Sequence, residues 1–520
     1  MAISGHPVGA TSRNRTDDLT LTKRSLYQLS YGGANHWEPA DRLRIAIGSA
    51  PATVPRSSPD GSRQVRRSPC GVPPCGTRGI IPTPLDKPRI SDDNHNMRIA
   101  MLSYHTCPLA TLGGKEAGGM NVYVRELVRS LGKRGIGVDV FTRSQDEHIP
   151  HVLHNLGYGN RVVHVPSGPE HPLAKRELPR WITDYVRWIK KFAESKGVHY
   201  DVIHSHYWLS GEAALLLREE WGTPFIQMFH TLGEMKNQVA RSPGEKASPA
   251  RLESERRLLG EADKIIASTE AELAQFRWLY HQDTDKVEII EPGVDISRFY
   301  PIPADEAREF VGVTDERRII LFVGRIEPLK GLDSLLNAVA MLHRERQHNL
   351  HLMVIGGEPD ADPDEITAEM SRLKELTDEL GLNGQVTFLG RRDQDVLQYY
   401  YSAAEIVVMP SHYESFGLVA LEAMACGTPV IASETGGLVY LVKDGETGLH
   451  VPTAAPEALA EKVRYLLDND NELRRLGVQA AKHARGFEWG GVADRVIEVY
   501  EELAGKRARE GVVRSAGQPR

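Results

Sequence analysis

Short apolar runs alternate with segments of helical spacing from residue 97 onward. Six runs predict strands in the first half of this region, at 98–104, 138–143, 162–166, 201–207, 224–231 and 264–269. Nearly continuous apolar runs of this length are typical of strands that are buried on both faces of a parallel sheet. Between them, residues 121–135 place Val and Leu broadly on one side of a helix that ends at Gly135. The pattern indicates an α/β fold.

The pattern pauses at residues 291–305, where three prolines break any regular element. Five further runs then predict strands at 318–325, 351–357, 386–390, 405–411 and 429–434, with helices near 331–346, 364–381, 416–426 and 456–468. We therefore predict two Rossmann-like domains, residues 97–296 and 297–486. A last helix near 489–505 has no strand after it, so residues 487–520 are predicted to pack back on the first domain and to end in a tail.

Residues 1–96 differ from the rest of the chain. They carry more Lys and Arg than Asp and Glu, and residues 51–96 are rich in proline. A segment of this composition cannot bury enough apolar surface to offset the entropy lost on ordering. We expect a disordered N-terminal extension. A targeting leader, or a start assigned upstream of the true one at Met97, would explain the same composition.

The composition narrows the class of protein. Hydrophobic residues make up 41% and charged residues 26%, and the net charge is −7, so a dedicated nucleic-acid binder is not expected. Four cysteines exclude a disulfide scaffold and fit a reducing compartment. Because no run of about 18 apolar residues occurs, we expect no transmembrane segment and a cytoplasmic location.

Candidate chemistry follows the predicted strands, because open parallel sheets bind ligands beyond the carboxyl ends of their strands. The loop GGKEAGGMN at 113–121 opens a helix and suits a bound anion, although Glu116 after Lys115 excludes a P-loop. Arg325 and Lys330 follow another strand and suit a diphosphate. His230 ends a first-domain strand, in the segment FHTLGEMKN at 229–237.

Two carboxylates, Glu414 and Glu422, lie in the segment 411–437. A continuous helix would separate them by about 12 Å, whereas the two carboxyl groups of a retaining glycosidase lie about 5–5.5 Å apart. The two residues therefore do not predict a hydrolase. They suit the hydroxyl groups of a sugar or a ribose, and the helix N-terminus near 416–418 suits a phosphate.

Residues 97–505 resemble the retaining GT-B glycosyltransferases of family 4, in which two Rossmann-like domains face each other across a cleft. The resemblance rests on the 113–121 loop, on G-R-x4-K at 324–330, on EPGVD at 291–295 and above all on residues 414–432, which contain the E-x7-E pattern. Within the family, residues 118–124 and 229–237 are similar to the inositol-phosphate glycosyltransferases of mycothiol synthesis and to sucrose-phosphate synthases.

The resemblance implies a UDP-sugar donor, UDP-glucose or UDP-N-acetylglucosamine, held mainly by the second domain. It implies retaining transfer of a hexosyl group to a small hydroxyl acceptor, phosphorylated or not. The catalytic residues would be His230, Arg325, Lys330 and Glu414. The donor would contact Gly119, Arg325, Lys330, Glu414, Phe416, Gly417, Leu418 and Glu422. The acceptor would contact Asn121, Thr231 and Lys236.

Within this resemblance, Arg325 and Lys330 would hold the diphosphate, Glu422 the ribose, and Glu414 the donor sugar. No metal and no cofactor are expected, because two cations can stabilise the leaving diphosphate. The expected partners are the donor and a small-molecule acceptor, without nucleic acid, and a homodimer is left open. A UDP-sugar epimerase of the same fold and a non-catalytic sugar-nucleotide-binding protein remain alternatives.

Overall fold

The computed structural model describes residues 97–110, 118–313, 315–345, 349–358 and 367–516, with side chains up to Arg507. The predicted disordered extension, residues 1–96, lies outside these residues. The first part of the 113–121 loop and the start of the predicted helix at 364–381 also lie outside them.

The first of two sheets in the described chain has eight strands. In chain order they are β1 (Arg98–Leu102), β2 (Gly137–Arg143), β3 (Val152–Leu153), β4 (Arg161–Val165), β5 (Val202–His206), β6 (Phe225–Met228), β7 (Lys264–Ala267) and β8 (Val287–Ile289). Their spatial order is β3-β4-β2-β1-β5-β6-β7-β8, and all neighbours are parallel except β3 and β4. We call the part built on this sheet the N-terminal lobe.

The second sheet has six strands, all parallel. They are β9 (Arg318–Val323), β10 (Leu350–Ile355), β11 (Val386–Gly390), β12 (Ile406–Met409), β13 (Val430–Ser433) and β14 (Gly448–Val451). Their spatial order is β11-β10-β9-β12-β13-β14. We call the part built on this sheet the C-terminal lobe. The predicted fold class, α/β with two Rossmann-like parallel sheets, is confirmed.

Helices cover both sheets. Those of the N-terminal lobe are α1 (Gly119–Lys133), α2 (Ile182–Lys196), α3 (Trp208–Trp221), α4 (Gly233–Val239), α5 (Pro249–Glu261) and α6 (Glu270–Leu279). Those of the C-terminal lobe are α7 (Ala304–Phe310), α8 (Leu332–Glu345), α9 (Ala368–Glu379), α10 (Gln394–Ala403), α11 (Leu418–Ala425), α12 (Leu438–Leu441), α13 (Pro456–Asp468) and α14 (Asp470–Ala484). The last helix is α15 (Trp489–Ala516). None of the helices in the described ranges is long and apolar enough to cross a membrane.

The continuous apolar runs arise because each sheet has a core on both faces. In β1, Ala100 and Leu102 pack into one hydrophobic cluster, and Ile99 and Met101 pack into another on the opposite face. All four are fully buried. Successive side chains of a strand point to opposite faces, so burial of both faces requires an apolar residue at every position.

The sequence analysis does not predict three of the strands, β3, β8 and β14. Each of them lies at an edge of its sheet. An edge strand pairs on one side only and is short here, so it needs no long apolar run. The predicted run at 405–411 is longer than β12, because its last residues belong to the loop that follows the strand.

The chain passes between the lobes at two neighbouring points. The backbone N–H of Val294 donates to the carbonyl oxygen of Phe487 at 2.7 Å, which joins the two crossings. After the second crossing, α15 packs against α1 of the N-terminal lobe. Tyr500 of α15 is fully buried there, and its hydroxyl lies 2.8 Å from Nδ1 of His204 in β5.

The contact between Tyr500 and His204 predicts a measurable contribution to stability. Tyr500→Phe leaves a buried imidazole nitrogen without its partner, which costs about 1–3 kcal/mol. We expect a lower midpoint of urea unfolding for the full chain. The control is Tyr465→Phe, since Tyr465 is 45% exposed. Equal midpoints for wild type and Tyr500→Phe would show that this bond does not anchor α15.

Candidate active site

A cavity of about 420 Å³ lies between the lobes, at the carboxyl ends of β6, β9 and β12. Every residue predicted to contact donor or acceptor lines it. The predictions that two lobes face a common cleft and that the strand-end loops meet there therefore agree with this geometry. What each side chain does in the cavity depends on its contacts.

Lys330 and Glu414 are in direct contact. Lys330 Nζ lies 2.5 Å from Glu414 Oε2, and both side chains are less than one-fifth exposed. Lys330 ends a 3₁₀ turn that follows β9, and Glu414 lies in the loop that follows β12. Because β9 and β12 are neighbours in the sheet, their following loops emerge side by side. Residues 84 positions apart in the chain are thereby brought into one ion pair.

Arg325 lies two residues beyond the end of β9 and lines the same cavity as this pair. Its Nη1 donates to Oε1 of Glu327 at 2.7 Å. Glu327 also lines the cavity but was not predicted as a site residue. Each of the two predicted diphosphate cations therefore has a carboxylate partner, Glu327 for Arg325 and Glu414 for Lys330, and a bound anion must share or displace these contacts.

Glu422 belongs to a separate polar subsite. It is buried on α11, and its two carboxylate oxygens accept from Gln394 Nε2 at 3.0 Å and from the Tyr401 hydroxyl at 2.8 Å. Burial raises the pKa of Glu422, while the bonds from Tyr401 and Gln394 oppose that rise. Arg298 Nη1 donates to Gln394 at 2.9 Å, and Arg125 of α1 donates to the same oxygen. A link thus runs from the N-terminal lobe to Glu422.

The loop before α11 presents backbone to the cavity. Gly417, the N-cap of α11, has φ of +109°, and a Cβ at this position would lie 2.6 Å from a methyl carbon of Leu438. The conformation favours glycine, and a Cβ would require the Leu438 side chain to shift. The first N–H groups of a helix have no partner within the helix, so those of α11 can bind an anion in the cavity.

His230 lies where the two lobes meet. Its Nε2 is 2.9 Å from Nδ1 of His206, and its carbonyl oxygen accepts from Ser415 Oγ of the C-terminal lobe at 2.5 Å. Its φ of +61° is in the left-handed region, which is unusual for a residue with a side chain. Burial lowers the pKa of His230 to about 3, so the ring is neutral at neutral pH.

A basic cluster lines the N-terminal side of the cavity and consists of Lys175, Lys236 and Arg251. Arg251 is buried; its Nη1 donates to the Tyr207 hydroxyl at 3.2 Å and its Nη2 to Thr231 Oγ1 at 3.2 Å. Lys175 Nζ lies 5.7 Å from the centre of the Tyr207 ring. Desolvation, followed by the charges of Arg251 and Lys175, lowers the pKa of Lys236 even though its side chain is accessible within the cleft. Three cationic side chains thus share one wall, and Arg251 among them is paired with the buried Glu255, its Nε 2.7 Å from Glu255 Oε1.

Sequence reasoning missed Lys175 and Tyr207, which carry no motif and come from separate loops. Arg241 is a further cation of the N-terminal lobe, but it pairs with Asp333 Oδ2 at 2.9 Å and contacts His412. Arg241 therefore joins the lobes beside the cavity rather than lining it.

The hydrogen bonds of Asn121 do not support its predicted contact with the acceptor. Its amide nitrogen donates to Thr106 Oγ1 at 2.8 Å and to the carbonyl of Cys107 at 2.6 Å, and its oxygen accepts from the backbone of Gly118. The side chain is 1% exposed. Both amide hydrogens are used, so Asn121 shapes the loop at the start of α1. Gly119 lies beside it, and a Cβ at this position would lie 3.3 Å from Leu418 across the cleft.

Two Rossmann-like lobes that face each other across a cleft lined by cations and carboxylates have the architecture of the GT-B class. Residues 117–298 match the family model Glycosyltransferase Family 4, and residues 303–483 match Glycosyl transferases group 1. The chain belongs to this glycosyltransferase family.

Relatives and solved structures agree with this assignment. The chain is 42% identical over 422 residues to D-inositol 3-phosphate glycosyltransferase 2 of Catenulispora acidiphila, with 79% of this chain and 97% of that protein covered. It is 41% identical to D-inositol 3-phosphate glycosyltransferase of Kineococcus radiotolerans, with the same shares covered.

Among solved structures, sucrose-phosphate synthase from Thermosynechococcus elongatus has a TM-score of 0.73 and 35% identity, with 79% of this chain and 100% of that chain covered. The Anabaena protein Alr3699/HepE, solved with UDP and glucose, has a TM-score of 0.61 at 20% identity, with 78% and 100% covered. The second likeness shows the fold alone.

The position of Glu414 depends on Gly436. Gly436 has φ of +50°, and a Cβ at this position would overlap the carbonyl oxygen of Glu414. We expect Gly436→Ala to displace the Glu414 loop and to slow sugar transfer by about 100-fold, since small misplacements at a reacting centre have effects of this size. The control is Gly445→Ala. Gly445 has φ of +70° but open space around it, so that variant should lose about 1–2 kcal/mol of stability and keep its activity. Equal activity of both variants would contradict the role given to Gly436.

Proposed function

We propose that this protein transfers a hexosyl group from a UDP-sugar to an inositol phosphate, with retention of the anomeric configuration. The observation that carries the proposal is the 2.5 Å contact between Lys330 and Glu414. In a nucleoside diphosphate sugar, the diphosphate is bonded directly to C1 of the sugar. A cation for the diphosphate and a carboxylate for the sugar hydroxyls must therefore be neighbours, as these two residues are.

The rest of the donor fits the C-terminal lobe. Arg325 lies beside Lys330, and a guanidinium can bind two phosphate oxygens at once. Glu422 lies in its own subsite with Gln394 and Tyr401, and a carboxylate there can accept from the ribose hydroxyls. The backbone of Phe416, Gly417 and Leu418 supports the donor at the start of α11.

The basic cluster of Lys175, Lys236 and Arg251 supports a phosphorylated acceptor. Its side chains line the cavity from the N-terminal lobe, whereas Arg325, Lys330 and Glu414 line it from the C-terminal lobe. A phosphate bound there would place the remaining acceptor hydroxyls toward Glu414 and the donor sugar. Relatives about 40% identical are named D-inositol 3-phosphate glycosyltransferases, which favours an inositol phosphate. The 35% identity to sucrose-phosphate synthase makes fructose 6-phosphate the second candidate.

In the proposed reaction, Arg325 and Lys330 stabilise the negative charge that develops on the diphosphate as the bond to C1 breaks. The acceptor hydroxyl attacks C1 from the same face, and the departing phosphate takes its proton. Two protein cations can perform this stabilisation, so we propose neither a metal nor a cofactor. Closure of the two lobes excludes water, which favours transfer over hydrolysis.

Substitutions on the two walls of the cavity should change different kinetic constants. Lys330→Ala should lower kcat by about 100-fold to 1,000-fold, because the leaving diphosphate loses a charge partner. Lys236→Gln should instead raise KM for the phosphorylated acceptor by about tenfold or more, with little change in kcat, because it removes one charge-assisted contact. Steady-state kinetics with each substrate varied in turn separates the two. Lys482→Ala, on the exposed surface of α14, is the control for loss of a lysine. Unchanged kinetics for Lys330→Ala would contradict the donor assignment.

The proposed function is tested with the full chain and a panel of substrates. UDP-glucose and UDP-N-acetylglucosamine are each incubated with D-inositol 3-phosphate, with fructose 6-phosphate or with no acceptor. UDP release and product mass are followed, and NMR gives the anomeric configuration. We expect release that depends on D-inositol 3-phosphate with one of the two donors. Release that depends on fructose 6-phosphate would select the second candidate. Epimerisation of the donor without UDP release would refute transfer.

A further inference from the structure

The proposed mechanism gives no role to the hydrogen bond between His206 and His230, which lies at the candidate active site. His206 is the last residue of β5, and His230 follows β6, the next strand in the sheet. Both strands end at the same edge, so the two rings meet, with His206 Nδ1 2.9 Å from His230 Nε2. His206 is fully buried, whereas His230 lines the cavity.

Both rings are neutral. Burial, followed by the nearby His204 and His230, lowers the pKa of His206 well below its usual value. Burial lowers the pKa of His230 to about 3. The bond between the rings therefore contains one proton, which belongs either to His206 or to His230. A neutral imidazole carries its proton on one nitrogen only, so this choice fixes the tautomer of both rings.

The other nitrogen of His206 decides between the two arrangements. Nε2 of His206 is buried and has no hydrogen-bond partner among the residues that the structure describes. If His230 donated to His206, the proton of His206 would lie on Nε2, as a buried donor without an acceptor. Orphaned buried N–H groups are rarer than unfilled acceptors. The favoured arrangement has the proton of His206 on Nδ1, where it donates to His230.

We infer that His206 is a positioning residue that fixes His230 as the Nδ1–H tautomer, so that His230 donates a hydrogen bond into the cavity. Nδ1 of His230 makes no hydrogen bond to any side chain or backbone group of the described chain, so it is available to a substrate oxygen. Nε2 is occupied by His206. His230 therefore serves as a hydrogen-bond donor and does not accept the acceptor's proton. This inference rests on the proposed function, in which the departing phosphate takes that proton.

Side-chain rings pack around the hydrogen-bonded pair of His206 and His230 and restrict its movement. The Tyr123 ring packs edge-on against both His206 and His230, with ring centres 5.7 Å and 5.3 Å away. His204 lies on another side of His206, with ring centres 4.3 Å apart, and it is itself bonded to Tyr500. Among the residues that the structure describes, the ring of His206 thus has one polar contact, the one with His230. The rings packed around His206 restrict its rotation, so its hydrogen bond to His230 is not easily replaced by another.

The tautomer is measured directly by ¹⁵N NMR of the full chain labelled at histidine, with the His230 signals assigned by their loss in His230→Asn. Protonated and unprotonated ring nitrogens have well separated shifts. We expect the wild type to show a protonated Nδ1 and an unprotonated Nε2 at His230. A protonated Nε2 at His230 would overturn the inference.

Variants test whether His206 sets this state. His206→Leu removes the donor, and we expect kcat to fall at least tenfold, with the His230 signals shifted toward the other tautomer. His206→Asn places an amide N–H near the former Nδ1, and we expect it to restore most of the kcat and the wild-type signals. The control is His351→Leu, which replaces a buried histidine in β10 of the C-terminal lobe and should leave the His230 signals unchanged. Wild-type kcat and unchanged His230 signals in His206→Leu would overturn the inference.

The two proposals fail separately. The NMR measurement needs no substrate, so the expected tautomer without any sugar transfer would refute only the proposed function. Acceptor-dependent transfer by a protein whose His230 is protonated on Nε2 would refute only the role of His206.

Discussion

The ion pair between Lys330 and Glu414 is the contact around which the active site is organised. It joins the loops after β9 and β12, two neighbouring strands of the C-terminal sheet. A parallel sheet places the carboxyl ends of its strands at one edge, so residues far apart in sequence meet there. Gly436 packs against the backbone of Glu414 and fixes its loop. In the proposed function, this pair places the contacts for the diphosphate and for the sugar of one donor molecule side by side.

Hydrogen bonds between the two lobes hold residues of the candidate active site in place. Ser415, next to Glu414, donates to the carbonyl of His230, and Arg125 reaches Glu422 through Gln394. Each of these bonds exists only while the lobes are together. The proposed closure of the cleft would therefore do more than exclude water, because these bonds also hold the backbone of His230 and the carboxylate of Glu422.

Most of the fold could be predicted from the sequence. The central strands are buried on both faces of their sheets, so they consist of continuous apolar runs. The short edge strands β3, β8 and β14 carry no such signal. Two residue pairs could be predicted to share a cavity, because each pair has a fixed spacing near the end of a strand: Arg325 with Lys330, and Glu414 with Glu422. Lys175 and Tyr207 could not, because their contact with Arg251 depends on packing between separate elements. The side chain of Asn121 could not be assigned either, since its bonds to Thr106 and Cys107 follow from how the loop folds.

In the proposed function, one nucleoside diphosphate sugar binds across Arg325, Lys330, Glu414 and Glu422. This binding mode can be tested with a crystal structure of the full chain with UDP-glucose or UDP-N-acetylglucosamine. We expect the diphosphate to lie within hydrogen-bond distance of Arg325 and Lys330, with the sugar at Glu414 and the ribose at Glu422. A nucleotide bound outside the cleft, or a diphosphate held by the basic cluster of the N-terminal lobe, would contradict it.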